Sequence, residues 1–148
     1  MNAPFKVDRE TGSLSFPDLP LELRPMMLEA EFIAGTARLS RDNLGSNQGW
    51  QRYSIRQLIS GDRRLGIFII FLNGKLNRVS FAYAHKEESW ATWSEQGEAE
   101  RLKEYHEELA AQLGGQDTFS WGKVGAVLDT KSGGTDIWLN FNTTASEV

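Results

Sequence analysis

Cysteine is missing altogether from this chain of 148 residues, and histidine and proline are scarce, with two and four copies. Without cysteine there is no disulfide framework, no zinc–thiolate centre and no thiolate nucleophile, and the composition is compatible with a reducing compartment. His85 and His106 alone offer little for a histidine-based metal site. Long apolar runs are missing too. The longest, Leu65 to Leu72, falls far short of the roughly 20 residues of a membrane-spanning helix. Met1-Asn-Ala-Pro-Phe5-Lys-Val7 lacks a basic start followed by an apolar stretch. The expectation is a cytoplasmic protein with no membrane association. Motifs that announce a reaction are equally lacking: no GxxxxGK[ST], HExxH, GxSxG or EF-hand loop, and no GxGxxG after a strand. No catalytic residue, metal or cofactor is therefore expected, and the sequence points away from an enzyme.

What is present begins with Leu65 to Ala84, an apolar run, then Asn73-Gly74, then an alternation through Val79, Phe81 and Tyr83. Branched and aromatic residues suit a pleated packed surface, and Asn-Gly supplies the positive φ of a tight turn, so this is a β-hairpin. An odd loop, a type I turn with a glycine bulge, places Leu65, Ile67, Ile69 and Phe71 on the face of Val79, Phe81 and Tyr83. An even loop would set Ile69 against Arg78, so the odd loop is expected.

Upstream, Phe5-Lys-Val7 and Ser13 to Phe16 flank a Gly12-containing turn and read as an edge hairpin. Pro17 and Pro20 are expected to end strand pairing, and a short helix is expected from about Pro25 to Ala34. Arg38 to Gly49 is polar, has no sustained period and reads as a surface loop. Trp50 to Ile59 alternates again, with Tyr53, Ile55 and Gln57 on one side and Arg52, Ser54, Arg56 and Leu58 on the other: a strand with a basic face.

Downstream, Leu102, Tyr105, Leu109 and Leu113, with Ala99 and Ala110, recur at helical spacing, between Ser94 or Ser89 as a cap and Gly114-Gly115. A helix of about Ser94 to Leu113 is expected across the apolar sheet face, with His106 at the rim of its packed stripe. Its neighbours at i±3 and i±4 are not metal ligands. Phe119 to Leu128 and Asp136 to Phe141 form a second hairpin, with Ile137, Leu139 and Phe141 on one face and Trp138 on the other. Trp90, Trp93 and Trp121 are expected in the core, and residues 143–148 read as a frayed tail.

The net charge of −4 argues against nucleic-acid binding, so no nucleic-acid partner is expected. The acids are concentrated. Lys86 to Glu108 holds eight acids against three bases, net −5, which leaves the rest of the chain at +1. Glu98, Glu100, Glu104, Glu107 and Glu108 are read as a solvated helix face for a basic protein surface, with exposed Trp138 as a further contact. The alternative is a small-ligand or anion pocket, or an enzyme, near the 38–49 loop, with Arg52, Arg56, Arg63 and Arg64 as anion-binding groups. A third reading is a homo-oligomer joined through a sheet edge or the Trp138 face.

The ordered set Gly12-x-Leu14-x-Phe16-Pro17, Trp90-x-x-Trp93-Ser94 leading into an acidic helix with His106, then Trp121-Gly122 and Asp129-x-Lys131-x-Gly133 before Ile137 resembles small single-domain bacterial proteins of unassigned function, among which immunity-type proteins of toxin systems are found. The resemblance covers most of the chain and brings no catalytic residue with it. The expected architecture is one α+β domain over residues 1–148, with an antiparallel sheet of five to seven strands, one long amphipathic helix on one face and a short N-terminal helix. The expected function is a non-enzymatic protein-binding domain of immunity or inhibitor type.

Overall fold

The computed structural model describes residues 4–17, 19–60, 62–85, 94–129 and 134–142. The N-terminal part carries β1 (Lys6–Val7), β2 (Leu14–Ser15), β3 (Glu22–Leu23) and α1 (Glu29–Gly35). Next come β4 (Arg41–Asn47), β5 (Trp50–Ser60), β6 (Arg63–Leu72) and β7 (Lys75–His85), then α2 (Glu95–Leu113), β8 (Thr118–Phe119), β9 (Gly122–Asp129) and β10 (Gly134–Phe141). The first three strands form a small sheet; the others form a seven-stranded sheet in the order β4-β5-β6-β7-β10-β9-β8. All described pairings are antiparallel.

This corrects the expected α+β architecture. Strands make up 50% and helices 21% of the described residues, with ten strands in two sheets, so the fold is mainly β. The N-terminal segment builds a second layer where only an edge hairpin and a short helix were expected. Pairing does not end at Pro17 and Pro20, because both lie in the connection between β2 and β3, where no ladder donor is needed, and Leu23 returns opposite Leu14. The short helix begins at Glu29 rather than Pro25. Met26 has φ 67°, and the chain then runs along the tip of β7, where Leu76 N–H donates to Met27 O at 2.8 Å and Glu29 N–H to Gly74 O at 2.9 Å. The left-handed Met26 and the strand-like pairing of Met27 and Leu28 with β7 hold these residues out of the helix. It starts at Glu29, whose first-turn N–H is free to bond elsewhere.

One face of the large sheet is the core. Ile55, Ile67, Ile69, Phe71, Val79, Phe81, Ile137 and Leu139 are all fully buried there. The N-terminal layer covers its centre: Phe5 and Phe16 meet Phe81 edge-on at 5.0 and 5.4 Å, and Phe32 meets Tyr53 and Phe71, both at 5.2 Å. The long helix therefore packs chiefly on β9 and β10, at one end of the sheet. It starts where Ser94 Oγ accepts from Gly97 N–H at 2.9 Å and stops at Gly114, whose φ of 71° a residue without Cβ adopts freely. Trp121 is buried as expected, stacked on Phe119 at 4.9 Å with its indole N–H on Arg9 O at 2.9 Å. Its ring lies where a Cβ at Gly12 would come within 2.5 Å. Trp90, Trp93 and the 143–148 tail lie outside the described residues.

The central hairpin pairs Leu65 with Tyr83, Ile67 with Phe81 and Ile69 with Val79, the face expected. The device differs. Asn73 and Gly74 both have positive φ in a two-residue turn, and the extra residue sits at Asn77, where the register shifts. The Arg38 to Gly49 segment is not a loop: Arg41–Asn47 is the edge strand of the sheet, almost wholly exposed and bulged at Leu44. An edge strand wet on both sides has no reason to alternate, so its sequence showed no period. A second bulge, with Gln57 at φ 60°, turns Leu58 inward opposite Leu65, where it packs against the core instead of joining the basic face. No helix among the described residues is long and apolar enough to cross a membrane.

Candidate functional site

The acidic helix face is real but narrower than expected. Glu100, Glu104 and Glu107 are exposed on the side of α2 opposite buried Tyr105, Leu109 and Leu113. Among the described residues, Glu104 is paired with Arg63, at 3.8 Å. Glu108 is half-buried and accepts from Gln112 Nε2 at 3.1 Å; Gln112 in turn clamps β1 through Val7 N–H and Phe5 O. It belongs to the seam between helix and small sheet.

Glu98 is not on the solvated face. It is 6% exposed, taking a hydrogen bond from Thr135 Oγ1 at 2.9 Å and one from Arg101 at 3.0 Å. Glu98 lies seven residues before Tyr105, two helical turns along the packed stripe, and that spacing could have revealed it. The same stripe reaches a break in the sheet. The β7–β10 ladder runs only as far as Phe81 and Ile137. Beyond it, Tyr105 Oη replaces the missing strand, accepting from Tyr83 N–H at 2.9 Å and donating to Tyr83 O at 2.6 Å. Burial pushes the Tyr105 and Tyr83 phenols well above their ordinary range. Beside the break, the Asp136 carboxyl is pushed up by burial and by the charge of Asp129.

The four arginines proposed to hold an anion do not converge. Arg52 and Arg64 are exposed on the outward face of the sheet, and Arg56 is exposed and paired with Asp42 at 3.3 Å. Arg63 is half-buried on the helix side, its guanidinium 5.9 Å from the Tyr83 ring. Arg64 and Arg101 share a shallow cleft with Gln57, Gly66, Ala82 and Ala84. The loop that was to close the pocket is strand β4. Among the described residues no group of His, Cys, Asp and Glu is placed to hold a metal ion.

The outward face carries the feature that residue-by-residue reading missed. Two pairing rows cross it: Arg52, Ile70, Arg78, Asn140 and Lys123 in one, and Ser54, Phe68, Ser80, Trp138 and Gly125 in the next. Phe68 is 46% exposed. Trp138 is partly exposed and lies over Gly125, where a Cβ would come within 2.7 Å of the indole. The Arg78 guanidinium stands 5.5 Å from the Trp138 ring and donates to Asn140 Oδ1 at 3.1 Å. In comparisons with known proteins, no family model, curated protein or solved structure matches the chain.

Proposed function

We propose that the chain is a non-enzymatic binding protein, of immunity or inhibitor type, that meets a basic protein surface through the outer side of α2. The observation carrying this reading is the exposed stripe of Glu100, Glu104 and Glu107, set opposite the helix's buried stripe. Such a stripe attracts a basic surface from a distance and orients the encounter, so it acts on association rate and specificity more than on contact energy.

The test uses the partner captured from the native cell by the intact chain, then purified. Its association is measured with the wild type and with the Glu100→Lys, Glu104→Lys, Glu107→Lys variant. The rate falls at least about tenfold at low ionic strength, and the gap closes as salt screens the field. Association unchanged by the triple reversal refutes the proposal.

A further inference from the structure

The outward sheet face offers a different chemistry on the other side of the molecule. Across the five adjacent strands β5, β6, β7, β10 and β9, Arg52, Phe68, Arg78, Trp138 and Lys123 alternate as cation, ring, cation, ring, cation. The cations share one row and the rings the next, so the rows run parallel at about 7 Å, across about 20 Å of sheet. Ser80, a small residue, separates the two rings. Phe68 is exposed, and the partly exposed Trp138 ring has Gly125 beneath it and the Arg78 guanidinium beside it. Among the described residues, neither Arg52 nor Lys123 is drawn into an ion pair. The acids on this face, Asp42, Asp129 and Asp136, all stand outside the cation row. At the end of the ring row, Ser54 keeps a fully buried hydroxyl with no hydrogen-bond partner.

We propose that this face binds single-stranded nucleic acid, with Arg52, Arg78 and Lys123 on backbone phosphates and Phe68 and Trp138 stacked on bases. A strand of nucleic acid is a polymer in which an anion and a planar ring repeat side by side, and two parallel rows of complementary groups match that repeat. An acidic protein surface supplies the anions but not the regular planar groups, so the ring row would be wasted on it. The chain's net charge of −4 sets the opposite expectation only as an average, because the excess acid is concentrated in the segment that contains α2. This proposal does not rest on the α2 reading, and either can fail alone.

The test is fluorescence anisotropy of the intact chain with a labelled oligo(dT) of about 15 nucleotides. Binding is expected at about 50 mM salt, weakening with a log–log slope of about −2 for three phosphate contacts. The Arg52→Glu, Lys123→Glu variant changes only exposed side chains and lowers affinity at least about tenfold. Phe68→Ala lowers it about fivefold or more through lost stacking; should that variant not fold, Phe68→Leu, which keeps an apolar side chain without a ring, replaces it. No binding at low salt overturns the proposal. So does equal binding to a poly-glutamate peptide with no effect of losing the Phe68 ring, the result expected of a surface for acidic proteins.

Discussion

Strand β6 shows the two faces of the sheet side by side. Ile67, Ile69 and Phe71 point inward and are fully buried, while Phe68 between them points outward and is 46% exposed. Both sets are apolar, so hydrophobicity does not separate them. What separates them is the layer opposite: the inward residues lie under the N-terminal layer, with Phe71 against Phe32, and the outward ones pair with small side chains and a row of cations. One face is spent on stability and the other is left for an external surface.

Substitution of one ring on each face tests this contrast most strongly. Phe81→Ala should cost about 3–5 kcal/mol, since the cavity left between Phe5 and Phe16 cannot close. Phe68→Ala should cost less than about 1 kcal/mol. Urea denaturation of the two variants measures the difference, and equal losses would erase the distinction between the faces.

A smaller effect probes the break between β7 and β10. Tyr105→Phe leaves Tyr83 N–H and C=O without their partner and should cost about 1–3 kcal/mol. The same phenols make stability sensitive to alkali. Burial holds Tyr83 and Tyr105 above the ordinary value, and Tyr53 is pushed up to about 12 by burial and its hydrogen bond to the Glu29 carboxylate at 2.6 Å. The unfolded chain releases these protons first. Stability is therefore intact below about pH 10 and drains away as the pH rises above it. Melting temperatures across that range should fall less steeply in Tyr105→Phe than in the wild type.

Asp136→Asn is the mildest change. The folded carboxyl is harder to ionise than the unfolded one, so its cost is absent below the ordinary carboxylate pKa and complete above the raised one. The variant should be slightly more stable than wild type at neutral pH, by no more than about 1 kcal/mol because water screens this half-buried group. At acid pH the two should melt together. A gain that persists in acid would mean that charge is not its origin.

The parts of this fold legible in the sequence are those decided by neighbours along the chain. Asn73-Gly74 announced the hairpin, and Ser94 and Gly114 bounded the long helix, because turn and cap chemistry acts over three or four residues. The face shared by Ile67 and Phe81 was legible too, although the bulge that secures it lies at Asn77 and not in the loop. Strand β4 was hidden because it is wet on both sides. Of the small sheet, the β1–β2 hairpin was legible from its Gly12 turn, whereas β3 was hidden because a two-residue strand carries no period. Of the acidic stripe, Glu100, Glu104 and Glu107 were read correctly as solvated, whereas Glu98 was taken for a surface residue on charge alone, against its position on the packed stripe.

Composition and local pattern determined by themselves the central and last hairpins, the long helix, and that the excess negative charge would be concentrated in the segment containing that helix. Only the tertiary structure decided what stands beside what. Arg52, Phe68, Arg78, Lys123 and Trp138 come from five strands spread over most of the chain, and no short-range pattern links them. They fall into two rows because β10 pairs with β7 while β9 pairs with β10, so that register between distant strands, set by burial of their inward faces, aligns the outward ones as well.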